Sequence, residues 1–292
     1  MKKMNKNLFP KKISMLICCP LCKGNLNKQT SFLLCKACNE QFIIQNQIPI
    51  LLTQTLQQDV LKNNKNDDQN SIRMIKAIYK KLIFSHTFKT AESRNRIPNL
   101  INQLPDNAVT INIGAGNTNY SERLINIDIE LTNNVDLIAD SRSLPFRDNS
   151  VDLIISQAVL EHTPKTAENV KEIYRVLKTG GLVYCEVPFM QTYHAHPHDY
   201  FRFTHAGLKD VFENFTTQEE GIAVGPASAF SLSFRIFLST LFSFGSKKLF
   251  IISSILANWI TFPLKYFDLF LEKNRLAYFQ ASGIYALFKK EK

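Results

Sequence analysis

Glycine and proline are scarce in this sequence, with 10 and 11 of its 292 residues. Their scarcity excludes collagen-like and low-complexity proteins. Long apolar runs are missing too, because the two longest uncharged runs, residues 41–58 and 249–264, are both shorter than the ~20 residues that a membrane-crossing helix needs. Hydrophobic residues make up 45% and charged residues 21% of the chain, so wholesale disorder is excluded as well.

The positive charge of the chain is concentrated at its two ends. Of the total of +10, residues 1–60 and residues 225–292 carry +6 each, whereas residues 61–224 carry −2. A near-neutral middle argues against a protein that grips a long nucleic acid across its main face. The lysines near the N-terminus precede only a short apolar run, residues 13–17, without a small-x-small cleavage site. We therefore expect a cytoplasmic protein.

Five of the six cysteines lie between residues 18 and 38, and four of them form two CxxC pairs. Two such knuckles at the ends of hairpins bring four thiolates into a tetrahedron that suits a structural Zn²⁺. A module of about 40 residues buries too little apolar surface to fold alone, so the metal would supply folding energy. A redox pair and chance clustering are the alternatives. The predicted metal ligands are Cys19, Cys22, Cys35 and Cys38, whereas Cys185 is predicted to be a buried core thiol.

The order of motifs in this module, CPxCKG, a second CxxC and then QFIIQNQIPILL, resembles a known family. It is similar to the small zinc ribbons that occur as partner subunits of several methyltransferases and are fused to others. The resemblance covers roughly residues 16–53. Because the four thiolates leave no open coordination position, the predicted zinc is structural and not catalytic.

Apolar strand-like runs alternate with helical patterns between residues 71 and 225. The runs are VTINIG, RLINID, VDLIAD, VDLIISQ and GLVYCEVP, and the helical segments are ENVKEIYRVLK and THAGLKDVFENF. Short apolar runs separated by helices predict an α/β fold whose parallel strands are covered on both faces. We divide the chain into a zinc ribbon (13–53), a linker with helices (54–104) and an α/β domain (105–292).

Polar or glycine residues stand at the carboxyl ends of four predicted strands. Gly114 and Gly116 follow the first, Asp128 ends the second, Asp140 ends the third and Gln157 ends the fourth. Ligands of open parallel sheets bind outside these ends, and glycines there let the backbone approach a ligand and adopt a positive φ. Asp128 is placed to accept hydrogen bonds from ribose hydroxyls. Polar strand caps would explain one such position but not all four.

Residues 107–225 resemble the class I S-adenosylmethionine-dependent methyltransferases, in the group marked by LPF, VDLIIS, VLEH and YRVLKTGGL. The resemblance implies a doubly wound, Rossmann-like, mostly parallel seven-stranded sheet and S-adenosyl-L-methionine as cofactor. Its last two strands would be residues 221–224 and 282–288. Carried over to this sequence, the resemblance implies that Gly114 and Gly116 flank the methionine part of the cofactor and that Asp128 binds its ribose. It further implies that Asp140 and the Ser141 backbone bind the adenine, and that Gln157 lines the wall near the sulfonium.

The sequence departs from that family at Asn112, where the family usually has an acidic residue. An amide still forms hydrogen bonds with the cofactor, but its attraction to the ammonium group is weaker. This departure keeps open the alternative of a cofactor-binding adaptor without turnover. A dinucleotide-binding dehydrogenase is a second alternative, but Asn119 stands where the third glycine of its fingerprint would be.

The segment PFMQTYHAHPHDYFRFT follows the fifth predicted strand, where acceptor loops of this fold lie. Imidazoles titrate near neutral pH, so His196 or His198, oriented by Asp199, is our candidate for the base that removes an acceptor proton, and His162 is the rival. The spacing HxHxH could instead bind a metal. Structural histidines that cap a helix near Thr204 are the third alternative. Related methyltransferases carry a similar HPHDYxRFT stretch.

Residues 226–275 form an apolar insert before the last predicted strand. Lysines and aromatic residues flank its uncharged run, which suggests helices that lie in the membrane interface. A helical lid or dimer surface, and a hairpin through the bilayer, are the alternatives. We therefore predict methyl transfer to a hydroxyl of a sugar or lipid-linked glycan at the inner face of the membrane. The alternative acceptor is an RNA base bound through the zinc ribbon, but nucleic acid is less expected as a partner because the catalytic block carries a negative net charge.

Overall fold

A computed structural model of the protein describes residues 11–54, 56–57, 84–195 and 198–291. Strands of the described part join into a single eleven-stranded sheet. They are β1 (Leu26–Lys28), β2 (Phe32–Cys35), β3 (Gln41–Gln45), β4 (Ile48–Leu51), β5 (Thr110–Ile113), β6 (Leu124–Asp128), β7 (Leu137–Ala139), β8 (Val151–Gln157), β9 (Leu177–Pro188), β10 (Thr216–Val224) and β11 (Gly283–Lys289). Their order across the sheet is β1-β2-β3-β4-β7-β6-β5-β8-β9-β11-β10.

The helices of the described residues flank this sheet. They are α1 (Lys11–Leu16), α2 (Ala91–Gln103), α3 (Thr166–Val176), α4 (His205–Val211), α5 (Pro226–Leu241), α6 (Lys247–Thr261) and α7 (Asp268–Leu271). Side chains cap several of them at the N-terminus. Thr90 accepts from the Ser93 amide before α2, and Thr204 accepts from the Gly207 amide before α4. Thr204, and not one of the histidines considered for this role, therefore caps the helix that begins at His205.

Strands β5 to β11 form the predicted seven-stranded, mostly parallel sheet, and the α/β prediction is confirmed. β7, β6, β5, β8 and β9 are parallel neighbours, whereas β11 pairs antiparallel with both β9 and β10. Since the strand order reverses between β5 and β8, the carboxyl ends of these two strands border the crevice where such folds bind ligands.

Alternating side chains of each central strand pack on opposite faces of the sheet. In β8, Ile154 belongs to the apolar cluster that contains Ile173 of α3. Its neighbours Leu153 and Ile155 belong to a second cluster, with Ile97 of α2. Burial on both faces explains why the strand sequence is continuously apolar and does not alternate.

The segment predicted to be a zinc ribbon, called the ribbon segment below, covers part of the sheet where helices were expected. Loops, fully described, connect β5 to β6 and β6 to β7. Ile17 and Phe42 of the ribbon segment share one apolar core with Leu144 and Phe146 of the α/β domain, and the Cys18 amide donates to the Pro145 carbonyl at 3.0 Å. The ribbon segment and the α/β domain are therefore continuous in their packing.

Strand β4 continues the α/β sheet beyond its expected edge. Ile50 and Leu51 pair in parallel with Ile138 and Ala139 of β7. The sequence-based boundary at residue 53 therefore falls after a strand that is hydrogen-bonded to both units, since β4 also pairs with β3. The division of the chain into domains stays a prediction.

The insert consists of α5, α6, α7 and two 3₁₀ turns (Phe262–Phe267 and Ala277–Gln280), and it connects β10 to β11. Asp268, fully buried, accepts from the Ala227 and Ser228 amides at 2.8 and 2.9 Å and so caps α5. The helical stretch Lys247–Leu271 has 25 residues and is long and apolar enough to cross a membrane, by length and composition alone.

Candidate functional site

A cavity of about 550 Å³ lies outside the carboxyl ends of β5, β6 and β7. It brings together most of the residues predicted to contact a cofactor. Apolar side chains and carboxylates line it in the combination that an adenosine needs, with flat surfaces for a base and acceptors for hydroxyl donors. The relevant lining residues are Ile113, Gly114, Gly116, Ile127, Asp128, Ile129, Asp140 and Ser141.

The turn after β5 requires glycine for two reasons. Gly114 and Gly116 both have positive φ, +66° and +51°. A Cβ on Gly114 would lie 2.3 Å from Cγ2 of Val159, whereas the space around Gly116 is open. The turn is held by Asp128, whose Oδ2 accepts from the Gly116 amide at 2.7 Å. The two glycines thus allow a tight turn whose backbone lies beside the Asp128 carboxylate at the end of β6.

Asp140 is fixed at the end of β7 by its own neighbour. Its Oδ1 accepts from the Arg142 amide at 2.8 Å, and its Oδ2 lies 2.6 Å from Nη2 of the Arg142 guanidinium. The hydrogen bond and charge of this carboxylate raise the pKa of Arg142. The residues present therefore fit the adenosyl part of the predicted cofactor.

A second cavity, of about 540 Å³, adjoins the first. The two cavities share one wall, made by Gly114, Gly116, Asn117 and Ala158. Ala158 adopts a positive φ of 54°, a backbone conformation that is uncommon for residues other than glycine. Polar side chains dominate the rest of the second cavity and include Lys89, Asn112, Tyr120, Gln157, Glu161, Glu186, Gln191 and His194.

A hydrogen-bonded network around Glu186 forms one side of the second cavity. Oε2 of Glu186 accepts from Gln157 Nε2 at 2.6 Å and from the Tyr184 hydroxyl at 3.1 Å, and Oε1 lies 3.2 Å from the Lys89 ammonium. The Tyr120 hydroxyl donates to Gln157 Oε1. Burial and the Glu186 carboxylate raise the pKa of Tyr120 to about 12, so this phenol stays protonated. Gln157 is thereby fixed in orientation.

Asn112, the departure from the family pattern, is buried at the bottom of the second cavity. Its Nδ2 donates to Oδ1 of Asn126 at 3.1 Å. The amide therefore bridges β5 and β6 as well as lining the cavity.

Another corner of the second cavity contains a carboxylate between two imidazoles. Glu161 is fully buried, and its Oε1 lies 3.8 Å from Nε2 of His162 and 3.7 Å from Nε2 of His194. The Glu161 carboxylate is the largest influence that raises the pKa of His194.

The structure separates the histidines that the sequence grouped together. His162 and His198 line the first cavity, and the second cavity is lined by His194. Asp199 does not orient His198: it pairs with Arg202, and its Oδ2 accepts from the His194 amide at 2.8 Å. The Arg202 hydrogen bonds hold the pKa of Asp199 well below its usual range. His196 lies outside the described residues, and the choice of a catalytic base stays a prediction.

Sequence analysis missed Glu161, Glu186 and His194 as site residues. Glu161 had one detectable signal, because it is acidic and directly follows a continuous apolar run. His194 belonged to the quoted histidine-rich segment but offered no feature that set it apart from its neighbours. Glu186 interrupts the apolar second half of β9, residues 182–188, which was a signal of a buried carboxylate.

The four predicted metal ligands converge at the N-terminal segment. Sγ of Cys19 lies 3.7 Å from Sγ of Cys38, Sγ of Cys22 lies 3.4 Å from Sγ of Cys35, and all four sulfurs lie within 4.8 Å of one another. Thiolates at the corners of a zinc tetrahedron are about 3.8 Å apart, so the four cysteines fit Zn²⁺. Cys185, by contrast, is fully buried in β9, and burial raises the pKa of its thiol.

The ribbon segment also contacts the loop that borders the first cavity. Nζ of Lys23 donates to Ser143 Oγ at 3.2 Å and lies 3.0 Å from Oε2 of Glu172. Ser143 Oγ in turn donates to the Pro20 carbonyl at 2.6 Å. These contacts fix the 3₁₀ turn that directly follows Asp140.

Comparison with protein families places a methyltransferase domain on residues 103–185. This segment contains β5 to β8 and most of β9, and it matches the model of the methyltransferase-domain family. The match confirms the predicted family for this segment and supports the predicted cofactor class.

Curated relatives match a shorter stretch. Demethylmenaquinone methyltransferase of Staphylococcus haemolyticus (strain JCSC1435) is 37% identical over 70 residues, and that of Staphylococcus aureus (strain JH9) is 39% identical over 70 residues. Each alignment covers 23% of this chain, and the chain spans 29% of the length of these relatives. A solved complex of the Haloferax volcanii Trm112 methyltransferase activator with a methyltransferase matches at 18% identity and a TM-score of 0.42, over 69% of this chain and 92% of that chain.

Proposed function

We propose that this protein transfers a methyl group from S-adenosyl-L-methionine to a hydroxyl of a sugar or lipid-linked glycan at the cytoplasmic face of a membrane. The observation that carries the proposal is the shared wall of the two cavities, formed by Gly114, Gly116, Asn117 and Ala158. A nucleoside in the first cavity and an acceptor in the second would approach each other across this wall. The cofactor, when bound, supplies an electrophilic methyl group and leaves as a neutral thioether.

The second cavity divides its polar groups between two tasks. Methyl transfer forms a bond from carbon to the acceptor oxygen, breaks the bond from carbon to sulfur with its electron pair moving to sulfur, and requires the hydroxyl to lose its proton. Glu186 is already bonded to Gln157, Tyr184 and Lys89, so it suits the positioning of substrate. The side-chain oxygens of Glu161 have no hydrogen-bond donor among the described residues. The acceptor hydroxyl would therefore bind beside Glu161 and His194 and lose its proton there.

The insert begins and ends next to residues of the acceptor cavity. The second cavity is lined by Val224, at the end of the strand before the insert, and by Gly283, at the start of the strand after it. An acceptor attached to a membrane lipid would therefore reach the cavity past the helices of the insert. This position favours a membrane-linked acceptor over a freely soluble one.

The insert has its polar residues inside and its large apolar residues outside. Buried positions are occupied by Ser228, Ser231, Ser239, Ser254, Asn258 and Thr261. Exposed positions include Phe230, Phe237, Phe244, Trp259, Ile260 and Phe270, with exposed fractions from 50% to 84%. Water-soluble helices show the opposite pattern, whereas helices in lipid pack through small residues. We propose that this surface lies in the membrane interface.

The charges at the edges of the insert agree with a lipid surface. Lys247 and Lys248 begin α6, and Lys265 follows it beside Tyr266. Each basic residue near an anionic membrane contributes about 1 kcal/mol of attraction. The acceptor named for the curated relatives, demethylmenaquinone, is not carried over, because those alignments cover 23% of this chain.

Methyl labelling tests the proposed function. The protein would be incubated with methyl-labelled S-adenosyl-L-methionine and a membrane extract, after which the lipid-linked glycans, soluble sugars, RNA and protein are separated. We expect label in the lipid-linked fraction, and no label with Gly114→Ala, because the added Cβ would collide with Val159. Label confined to RNA would establish the alternative acceptor, and no label in any fraction would support an adaptor.

A further inference from the structure

Glu161 is in an environment that a carboxylate tolerates poorly without a partner. It is 0% exposed, and among the described residues neither of its oxygens has a hydrogen-bond donor. An isolated buried carboxylate is strongly disfavoured, so such a group requires either a proton or a cation. The carboxylate also lines the second cavity, where a ligand could reach it.

Two imidazoles face this carboxylate with the same nitrogen. Nε2 of His162 and Nε2 of His194 lie 3.8 and 3.7 Å from the same oxygen, Oε1 of Glu161. The two rings are perpendicular, with centroids 5.2 Å apart. These distances are too long for hydrogen bonds, but all three ligand atoms lie within 4.8 Å of one another.

The opposite ring nitrogens are held by backbone carbonyls. Nδ1 of His162 lies 2.6 Å from the His198 carbonyl, and Nδ1 of His194 lies 3.1 Å from the Thr192 carbonyl. Arg202 Nη2 is 3.2 Å from Nδ1 of His194, but its protons are directed to Asp199 Oδ2 at 2.5 Å and to the Thr192 carbonyl at 3.0 Å. Both Nδ1 atoms therefore act as donors, so in a neutral ring the Nε2 lone pair of each histidine lies on the side of Glu161, where it can bind a cation.

We propose that Glu161, His162 and His194 bind a divalent transition-metal cation. Two imidazoles and one carboxylate suit Zn²⁺ and its neighbours in the periodic table. With bonds of 2.0–2.1 Å, ligand atoms of a tetrahedral site are about 3.4 Å apart, so the two distances to Oε1 of Glu161 need to contract by only a few tenths of an ångström. The two imidazole nitrogens, which lie within 4.8 Å of each other, would also move together. Backbone carbonyls that fix the tautomers of both histidines are the usual support of metal-binding imidazoles.

The cation would sit at the boundary of the two cavities. His162 lines the first cavity, and Glu161 and His194 line the second. Three protein ligands leave a fourth position open toward the acceptor cavity. This inference rests on the proposed function for its role: an acceptor oxygen at that position would lose its proton to solvent more readily and would be oriented toward the methyl group. The binding site itself does not depend on that role.

Metal analysis of the untagged full-length protein tests the inference. After incubation with Zn²⁺ and removal of the excess, we expect two equivalents of zinc in the wild type, one of them in the ribbon. His194→Ala and Glu161→Gln should each contain one equivalent, and the matched control His198→Ala should keep two. One equivalent in the wild type, or two in His194→Ala and Glu161→Gln, would overturn the proposal in favour of a metal-free pair of Glu161 and His194.

A Co²⁺ titration of protein whose ribbon already holds Zn²⁺ identifies the ligands. Binding at the histidines should give weak visible bands without thiolate charge-transfer absorption, and His194→Ala should weaken this binding at least tenfold. Thiolate absorption instead would contradict the proposal. Calorimetry with S-adenosylhomocysteine distinguishes failure of the metal site from failure of the proposed function. If the protein binds this compound but no second metal, the metal site is refuted and the proposed function stands. If it binds the second metal but transfers no methyl group, the proposed function is refuted and the metal site stands.

Discussion

The two basic ends of the chain attach to opposite edges of the same sheet and do so in opposite ways. The ribbon segment joins the edge at β4 and β7, and the insert joins the edge at β10 and β11. Ile17 and Phe42 of the ribbon point into the common core, whereas the insert exposes Trp259 and Phe270. The two ends therefore differ despite their equal net charge: the ribbon segment packs its apolar side chains against the protein, whereas the insert exposes its own to the surroundings.

The difference follows from what each segment can bury. The ribbon has too few apolar residues for a core of its own, so its apolar side chains pack into the core of the α/β domain, and its four thiolates would bind a metal that adds folding free energy. The insert has apolar residues in excess but buries Ser231 and Asp268 between its helices and Asn258 against the backbone of Phe84, where hydrogen bonds satisfy them. The ribbon is thus organised for stability and the insert for contact.

The largest effect should come from removing the Zn²⁺ that we predict at the four cysteines of the ribbon segment. Cys38→Ser or strong chelation should lower the melting temperature of the whole chain by about 10 °C or more, because structural zinc sites contribute many kcal/mol of folding free energy. The ribbon shares its core with the α/β domain, so one cooperative transition should shift as a unit. Calorimetric melting is the measurement, with the exposed neighbour Lys36→Ser as control. An unchanged melting temperature after complete chelation would contradict this view of the ribbon.

The next largest effect concerns the insert. The double change Trp259→Ser and Phe270→Ser should reduce partition onto anionic vesicles about 100-fold or more, since each large apolar side chain contributes about 1.5–3 kcal/mol on burial. Both side chains are more than half exposed, at 53% and 77%, so the melting temperature should hardly change. Vesicle flotation measures the partition, and Met15→Ser, which alters an exposed apolar side chain of the ribbon segment, is the matched control. Equal loss in both variants would remove the distinction between the two ends.

A smaller effect should link the ribbon to the first cavity. Lys23→Met removes the donors to Ser143 and Glu172, which loosens the turn after Asp140. We expect cofactor affinity to fall about three- to tenfold, because partly buried hydrogen bonds of a charged group are lost. Partition onto vesicles should stay the same. Calorimetric titration is the measurement. Lys209→Met removes a surface ion pair with Glu220, 3.1 Å long, and should have no effect on the affinity.

The sequence was informative wherever one property of a short segment determined the result. Continuous apolar runs predicted the strands, CxxC spacing predicted the clustering of four sulfurs, and Gly114 and Gly116 marked a turn that proves to need positive φ. Position at a strand end also sufficed to bring Asp128 and Asp140 to one cavity, because parallel strands end at a common edge.

Other features depended on long-range packing and left no local pattern. The meeting of Glu161 with His194 joins the turn after β8 to a loop after β9, and nothing in the spacing of residues distinguishes His194 from His198. In the insert, helical periodicity cannot tell which face is covered, so the burial of Asn258 beneath exposed aromatic residues required the packed structure. The addition of β4 to the α/β sheet is likewise a tertiary contact.

The last predicted effect is a pH dependence of the contact between the insert and the segment that precedes α2. His86 is buried against α6, with Nε2 3.0 Å from Thr261 Oγ1, and burial together with Arg235 and Lys265 lowers its pKa to about 4. Because the unfolded chain takes up this proton near pH 6.5, the stabilisation is complete above that pH and is lost as the pH falls toward 4. Melting temperatures across this range should fall less steeply in His86→Gln. An equal slope in both proteins would assign the acid sensitivity to other groups.

The central claim is that the loop ends around Gly114, Asp128 and Asp140 form a single slot for an adenosyl cofactor. The most direct measurement is calorimetric titration of S-adenosylhomocysteine into zinc-loaded protein, compared with Gly114→Ala and with Gly180→Ala, a positive-φ glycine in open space. We predict one-site binding in the wild type and in Gly180→Ala, and no detectable binding in Gly114→Ala. Absence of heat with folded wild-type protein, or equal binding in Gly114→Ala, would contradict the account.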